Sequence, residues 1–207
     1  PILMFINLKG GVAKTTNAVA VAECLACIEE KRVLVIDADH QCTAGEMLLG
    51  ESRYLQCERK KATLHDMLAD MLDDDFEAEH VAGFVESGGS DINGGLPNLS
   101  VLPCSVRIDD FQTNMAKARR GFHTIEEFQQ LLLRRRRAIR TWLNRNFDYT
   151  IIDCPPSVAL QVKVFLTIAS GYIVPSVPDR LSVRGSLWLT DRIRRLGVKT
   201  PGVGTLW

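Results

Sequence analysis

The chain has 207 residues, of which 46% are hydrophobic and 24% are charged, and its formal net charge is zero. This composition is typical of a globular protein and argues against wholesale disorder, and the length suits one substantial α/β core. No apolar run approaches the roughly 20 residues of a membrane-spanning helix, so we expect no membrane association. Residues 1–100 hold 8 Lys and Arg against 17 Asp and Glu, whereas residues 101–207 hold 17 against 8. The second half can therefore carry a basic surface that faces a nucleic acid.

Short apolar runs bounded by turn signals alternate with helical patterns along the chain. The predicted strands are residues 1–7, 31–39, 98–105, 148–156, 171–178 and 200–207. The predicted helices are residues 14–30, 124–145, 156–170 and 181–196. This alternation is typical of an α/β fold with three layers, in which helices cover both faces of a mostly parallel sheet.

Residues 51–98 depart from this alternation. The first part is acidic and helical in pattern, and residues 86–98 (ESGGSDINGGLPN) have the composition of a turn-rich loop. We interpret the segment as an insertion between the second and third strands of a single domain that covers residues 1–207. The chain ends at Trp207 within a strand pattern, so we expect the protein to continue beyond it.

Cysteines are scattered through the predicted helices and strands, at Cys24, Cys27, Cys42, Cys57, Cys104 and Cys154. A chain of this length does not depend on disulfides, so we expect reduced thiols in a cytoplasmic protein. The pair Cys24 and Cys27 has the spacing of a metal-binding motif, but it lies within an Ala-rich, core-like helix. We therefore expect these two thiols to be buried and structural.

A glycine-rich loop follows the first strand and leads directly into a helix. It comprises Lys9, Gly10, Gly11, Val12, Ala13, Lys14, Thr15 and Thr16. The glycines let successive backbone N–H groups point at one anion, and the helix adds its positive N-terminal end. Lys14 can reach the β- and γ-phosphates of a nucleotide, and the Thr15 hydroxyl can complete the coordination of Mg²⁺. A glycine-rich turn without a ligand is the alternative, and the Lys-Thr pair at this position argues against it.

The loop has the form K-G-G-x-x-K-[ST], the deviant Walker A motif, so the chain resembles the ParA/MinD family of P-loop ATPases. The resemblance implies a P-loop NTPase fold of the SIMIBI type that binds ATP or ADP with Mg²⁺. It also implies that Lys9 is the signature lysine, which reaches across a dimer interface to the phosphates of the partner's ATP. Ala13 stands where the second glycine of the common motif lies.

Carboxylates follow two of the predicted strands, where ligands of open parallel sheets bind. Asp37 and Asp39 end the second predicted strand, and Asp153 ends the fourth. The segment IIDCPP resembles Walker B and the start of switch II, which implies that Asp153 binds Mg²⁺ through water. The segment VIDADHQCTAG resembles switch I, which implies that Asp37 supports the metal and that Asp39 orients or deprotonates the attacking water. His40 stands where the family has proline.

The D-x-D-x-Q motif and the NLSVLPCS strand resemble the corresponding sequences of the ParA branch, whose members partition DNA or other cargo. This branch implies an ATP-bridged homodimer, non-specific DNA binding on the nucleoid, and slow hydrolysis stimulated by a ParB-like or other activating partner. The candidate DNA contacts are Arg134, Arg135, Arg137, Arg192 and Arg195. The alternative is that these arginines form solvated helix faces balanced by the acidic insertion. Elements that recognise the base are expected beyond Trp207, so the choice of ATP over GTP rests on the resemblance.

Other functions of the same loop stay open at this point. They are a MinD-like positioning ATPase on a membrane, a ParA-like protein that positions a protein cargo, and a nucleotide sensor that does not hydrolyse. An iron–sulfur protein of the nitrogenase-reductase type also shares the deviant loop, but it needs four ligands per cluster.

Overall fold

The structure is a computed structural model that describes residues 1–177 and 180–195. In the last helix, the side chains of residues 180–184, 186, 187 and 192 are not described. The predicted strand at residues 200–207 lies outside the described residues. None of the helices within the described part of the chain is long and apolar enough to cross a membrane.

A sheet of six strands forms the centre of the molecule. The strands are β1 (Ile2–Phe5), β2 (Val33–Asp37), β3 (Glu86–Gly89), β4 (Leu96–Leu102), β5 (Tyr149–Asp153) and β6 (Gly171–Ile173). Their order across the sheet is β3-β4-β2-β5-β1-β6. Neighbouring strands are parallel, except that β3 pairs with β4 in the antiparallel sense. The prediction of a mostly parallel sheet is confirmed.

Helices connect these strands. In the described residues they are α1 (Lys14–Cys27), α2 (Thr43–Lys60), α3 (Leu64–Asp70), α4 (Phe111–Arg119), α5 (Ile125–Asn146), α6 (Leu160–Leu166) and α7 (Arg180–Arg195). Helix α5 begins with a capping box, in which the Thr124 hydroxyl accepts from the Glu127 N–H and the Glu127 carboxylate accepts from the Thr124 N–H. This cap and the apolar periodicity explain why α5 was predicted almost to the residue, whereas α4 was not predicted.

Side chains of the central strands alternate between two buried core layers. Leu34 and Ile36 of β2 lie in one layer, and Val33 and Val35 lie in the other. Helices α3, α5 and α6 contribute to the first layer, and α1 and α2 contribute most to the second. Helices therefore cover both faces of the sheet, which confirms the three-layer α/β prediction.

The segment 51–98 has more regular structure than its sequence predicted. Its proposed start falls inside α2, which is kinked at Gly50 (φ 71°, ψ 157°). The prediction of a turn-rich loop at 86–98 is wrong, because this stretch contains β3 and the start of β4. The sequence of β3 has no β-branched residue, and tertiary contacts hold it: the Arg53 guanidinium donates to the Gly88 carbonyl at 2.7 Å and to the Glu86 carboxylate at 3.1 Å. The interpretation of the segment as an insertion stays a prediction.

Candidate nucleotide-binding site

The glycine-rich loop occupies the connection between β1 and α1, at the carboxyl end of the sheet. Gly11 has φ 69°, and Ala13, which precedes the first helical residue, has φ 57° and ψ 35°. Ala13 therefore adopts the left-handed conformation that the common motif assigns to glycine. A Cβ added at Gly10 or Gly11 would meet no atom within 4 Å. The loop backbone is thus curved, and its glycines border open space that can accept an anion.

Lys14 is the first residue of α1 and is only 7% exposed. Its Nζ donates to the Lys9 carbonyl at 3.2 Å, so the Lys14 side chain reaches across the loop from α1 to the front of the loop. Lys9 itself is exposed. The two lysines of the motif therefore differ in exposure: Lys14 is buried within the loop, whereas Lys9 is exposed to solvent.

Asn7, which sequence reasoning missed, positions the front of the loop. Its side chain is 1% exposed and makes two hydrogen bonds, accepting from the Lys9 N–H at 3.0 Å and donating to the Pro175 carbonyl at 2.7 Å. The loop is thereby tied to the segment that follows β6. The only signal for Asn7 is a polar residue directly after an apolar strand.

Asp37 and Asp153 lie side by side at the ends of β2 and β5. They are direct partners in the parallel register of these strands, and both are fully buried. Asp39 follows two residues later and is 8% exposed. The structure brings the three predicted carboxylates together at the edge of the sheet where α1 begins.

Asp37 holds the segment after β2 in place through two hydrogen bonds from backbone N–H groups. Its carboxylate accepts from the Asp39 N–H at 3.0 Å and from the Gly45 N–H at 2.8 Å. Burial raises the pKa of Asp37 well above its ordinary value, and the charge of Asp153 adds to the rise, while these backbone hydrogen bonds oppose it. A Cβ at Gly45 would lie 3.1 Å from the Pro103 Cβ, so the close approach of α2 to Asp37 depends on this glycine.

The two carboxylate oxygens of Asp153 differ from those of Asp37 in their hydrogen bonding. Both are buried and lack a hydrogen-bond partner among the described residues. Burial raises the pKa of Asp153 to about 6, the charge of Asp39 also raises it, and the Thr15 hydroxyl and the Lys14 ammonium lower it. A buried carboxylate without partners costs free energy, which a cation in the site would offset.

The donor set fits Mg²⁺. Thr15 and Asp153 offer hard oxygen atoms, which this ion prefers. Within the described ranges, no group of three or more His, Cys, Asp and Glu side chains could hold a metal ion. A site with as few side-chain ligands as Thr15 and Asp153 suits Mg²⁺, because this ion keeps several waters and binds through one or two carboxylates together with substrate phosphates.

Asp39 lies in the segment after β2, two residues beyond Asp37. The Asp39 carboxylate accepts from the Gln41 N–H at 3.1 Å, and its Oδ1 lies 3.3 Å from the His40 Nδ1. His40, in place of the family's proline, therefore contacts the carboxylate that the resemblance assigns to water activation. Gln161 of α6, a second residue that sequence reasoning missed, donates to the Ala38 carbonyl at 3.3 Å.

The predicted DNA contacts lie in different environments. Arg134 and Arg137 are exposed on α5, and Arg195 is exposed and pairs with Asp191 at 2.7 Å. The side chain of Arg192 lies outside the described residues. Arg135 is buried, and its guanidinium donates to the Met71 carbonyl at 2.8 Å. This placement argues against the prediction that Arg135 contacts DNA, because four consecutive arginines cover every side of a helix and one must face the core.

The six cysteines are free thiols. Cys24 and Cys27 are exposed, so the prediction that both are buried is wrong. The apolar face of α1 instead consists of Ala18, Val19, Ala22 and Ala26. Position 24 lies between two core positions in sequence but on another side of the helix.

The site consists of a glycine-rich loop between a strand and a helix, with carboxylates nearby at the ends of parallel strands. This arrangement defines a P-loop nucleotide-binding domain. A family model described as an AAA domain matches residues 1–200. The chain belongs to this family, within the ParA/MinD group of P-loop ATPases.

Comparison with individual proteins agrees with this assignment. The chain is 30% identical over 197 residues to the chromosome partitioning protein ParA of Caulobacter vibrioides, a match that covers 94% of this chain and 62% of that protein. A plasmid partition protein from Borrelia burgdorferi superimposes with a TM-score of 0.70 at 22% identity, over 97% of this chain and 76% of that one. Cobyrinic acid a,c-diamide synthase from Mycobacterium smegmatis, with a bound ATP analogue and magnesium, superimposes with a TM-score of 0.67 at 27% identity, over 96% and 67%. The fold is therefore shared by partition proteins and a biosynthetic enzyme.

Proposed function

We propose that this protein is a partitioning or positioning ATPase that works as an ATP-bridged homodimer on DNA. The observation that carries the proposal is the difference in solvent exposure between the two loop lysines: Lys14 is buried in the loop, and Lys9 is exposed at its front. One ammonium can neutralise phosphate within a subunit, whereas Lys9 lies at the surface, where a second subunit can bind. The partition functions named for the Caulobacter and Borrelia relatives support the same proposal.

Within one subunit, the loop binds the nucleotide phosphates. The backbone of residues 10–16 and the N-terminus of α1 donate to phosphate oxygens. Lys14 exchanges its hydrogen bond to the Lys9 carbonyl for the β- and γ-phosphates. Thr15 and Asp153 would hold Mg²⁺ with the support of Asp37, and the ion would neutralise phosphate charge.

Hydrolysis depends on the segment after β2. Asp39 orients or deprotonates the attacking water, and the backbone hydrogen bonds of Asp37 hold this segment at the edge of the sheet. The hydrogen bond from Gln161 to the Ala38 carbonyl fixes it from the other side. The His40 contact adds a side chain that an activating protein can displace, which is consistent with slow hydrolysis that a ParB-like partner stimulates.

Dimerisation then places two basic surfaces on one assembly. Lys9 crosses to the phosphates of the partner's ATP, where a second cation stabilises concentrated negative charge. The DNA contacts come from the exposed arginines Arg134, Arg137 and Arg195, with Arg192 on the same helix as the last of these. Such contacts to the phosphate backbone are independent of base sequence and weaken as salt rises.

Sedimentation velocity tests the dimer. We expect Asp39→Ala to sediment as a dimer with ATP and as a monomer with ADP, because hydrolysis no longer removes the bridging γ-phosphate. The double variant Asp39→Ala/Lys9→Ala is expected to bind a fluorescent ATP analogue but to remain monomeric. Lys31→Ala, which removes an exposed lysine between α1 and β2, is the matched control and leaves the dimer intact. A dimer that persists without Lys9, or that forms equally with ADP, contradicts the proposal.

A further inference from the structure

An apolar groove lies between α4 and α5: the described residues that line it all belong to these two helices, and none comes from the nucleotide-binding loop. Its volume is about 520 Å³, and the residues that carry the argument are Met115, Arg119, Phe128, Leu132, Leu133 and Arg136. Among the described residues, the two arginines are the only charged ones that line it, and no carboxylate does so. The groove thus combines apolar side chains with two positively charged ones.

Large apolar side chains are exposed along this groove. Ile125 exposes 50% of its surface and Leu133 exposes 42%, while Phe128 and Leu132 between them are nearly buried. At about 100° per residue, these four positions and Arg136 fall on one side of α5. Arg134 falls on the opposite side. An apolar stripe of this kind, bordered by charge, is typical of a surface that receives another helix.

Arg136 provides the second, independent observation. Its Nε is buried and has no hydrogen-bond partner among the residues that the structure describes. Burial lowers the pKa of Arg136, because the charged form is partly removed from water without a compensating carboxylate. Arg119, by contrast, is held at the groove by donation to the Phe122 carbonyl at 2.9 Å. A guanidinium prefers a planar carboxylate with two acceptor oxygens, and the groove supplies none.

We propose that the α4–α5 groove is the docking site for an amphipathic helix of a partner protein, with apolar residues in the groove and Asp or Glu side chains paired with Arg119 and Arg136. The volume suits a few apolar side chains at helical spacing, as in other helix-in-groove interfaces. Duplex DNA would satisfy the arginines, but it would leave Phe128, Leu132 and Leu133 without an apolar partner. The inference does not rest on the proposed ATPase function, because the groove uses none of the loop or carboxylate residues.

A display library of short helical peptides, selected on the full chain, tests the docking site. We expect the enriched sequences to carry apolar residues at i, i+3 or i+4, and i+7, flanked by Asp and Glu. One enriched peptide, labelled with fluorescein, is then measured by anisotropy. Its affinity is expected to fall about tenfold or more with Leu133→Glu and with Arg136→Gln, and to stay unchanged with Arg134→Gln. Equal urea midpoints for the variants exclude a folding defect.

Several results would overturn the docking proposal. One is that no peptide is enriched, or that the enriched peptides lack acidic residues or still bind Leu133→Glu. Another is that Leu133→Glu weakens binding to duplex DNA as strongly as peptide binding, which would make the groove part of a nucleic-acid surface. A third is that the nucleotide-free chain self-associates in sedimentation and that Leu133→Glu abolishes it, which would make a second copy the occupant.

Discussion

Replacing Arg135 with methionine separates the role of this buried arginine from that of the exposed arginines Arg134 and Arg137 on the same helix. The guanidinium of Arg135 donates to the Met71 carbonyl at 2.8 Å and lies 5.7 Å from the centre of the Phe76 ring. It therefore joins α5 to the segment that follows α3. Methionine keeps an unbranched apolar side chain of similar length, so the substitution removes mainly the charged donor.

The expected loss follows from these two contacts. A hydrogen bond from a charged donor contributes about 1.5–3 kcal/mol, and a cation–π contact adds about 0.5–1 kcal/mol. Because methionine recovers part of the packing, we expect the free energy of unfolding to fall by about 2–3 kcal/mol. Arg134→Met, the matched control, removes an exposed arginine from the same helix and should change it by less than about 0.5 kcal/mol.

Urea unfolding followed by tryptophan fluorescence measures both variants, and Trp142 on the same helix is a buried reporter. Under the proposed function, Arg134→Met weakens DNA binding, whereas folded Arg135→Met binds DNA as the wild type does. Equal stability losses for the two variants, or a loss below about 0.5 kcal/mol for Arg135→Met, would refute the assigned role of Arg135.

Two further predictions concern the backbone and pH. Ala13→Gly should raise the free energy of unfolding by about 0.5 kcal/mol, because relief of the left-handed strain exceeds the added entropy of the unfolded chain. Lys61→Gly should raise it in the same way, since Lys61 has φ 55°. A lower free energy of unfolding in both variants would contradict this reasoning. Asp148 is paired with Arg32 at 3.0 Å, which lowers the pKa of Asp148 to about 2. The pair therefore stabilises the fold above the ordinary carboxyl pKa and loses this effect as pH falls from about 4 to about 2. The urea midpoint of Asp148→Asn should lie below that of the wild type at pH 7 and approach it at pH 3; a constant gap would contradict the linkage.

The parallel core could be predicted because its strands are short, apolar and end in recognisable chemistry. Strand β2 is buried along its whole length and ends at Asp37, and β5 is buried from Thr150 onward and ends at Asp153. Parallel pairing of such strands brings the two carboxylates together without further information. Their individual environments could not be predicted, because the two backbone donors of Asp37 and the unpartnered oxygens of Asp153 depend on tertiary packing.

Elements held by long-range contacts escaped the sequence reasoning. Strand β3 has the composition of a loop, and it pairs with β4 with the support of Arg53 on α2. Asn7 and Gln161 bind carbonyl groups far away in sequence, so their residue types carry no local signal. The side of α1 on which Cys24 lies depended on a helical phase that an Ala-rich sequence defines poorly.

Under the proposed function, ATP closes, through Lys9, a dimer that holds DNA. The most direct test is the binding of Asp39→Ala to random-sequence duplex DNA with ATP, with ADP and without nucleotide, repeated after addition of Lys9→Ala. We predict salt-sensitive binding with ATP alone, and its loss when Lys9 is also replaced. If no nucleotide state binds DNA, or if binding is indifferent to Lys9, the claim of an ATP-bridged dimer on DNA is contradicted.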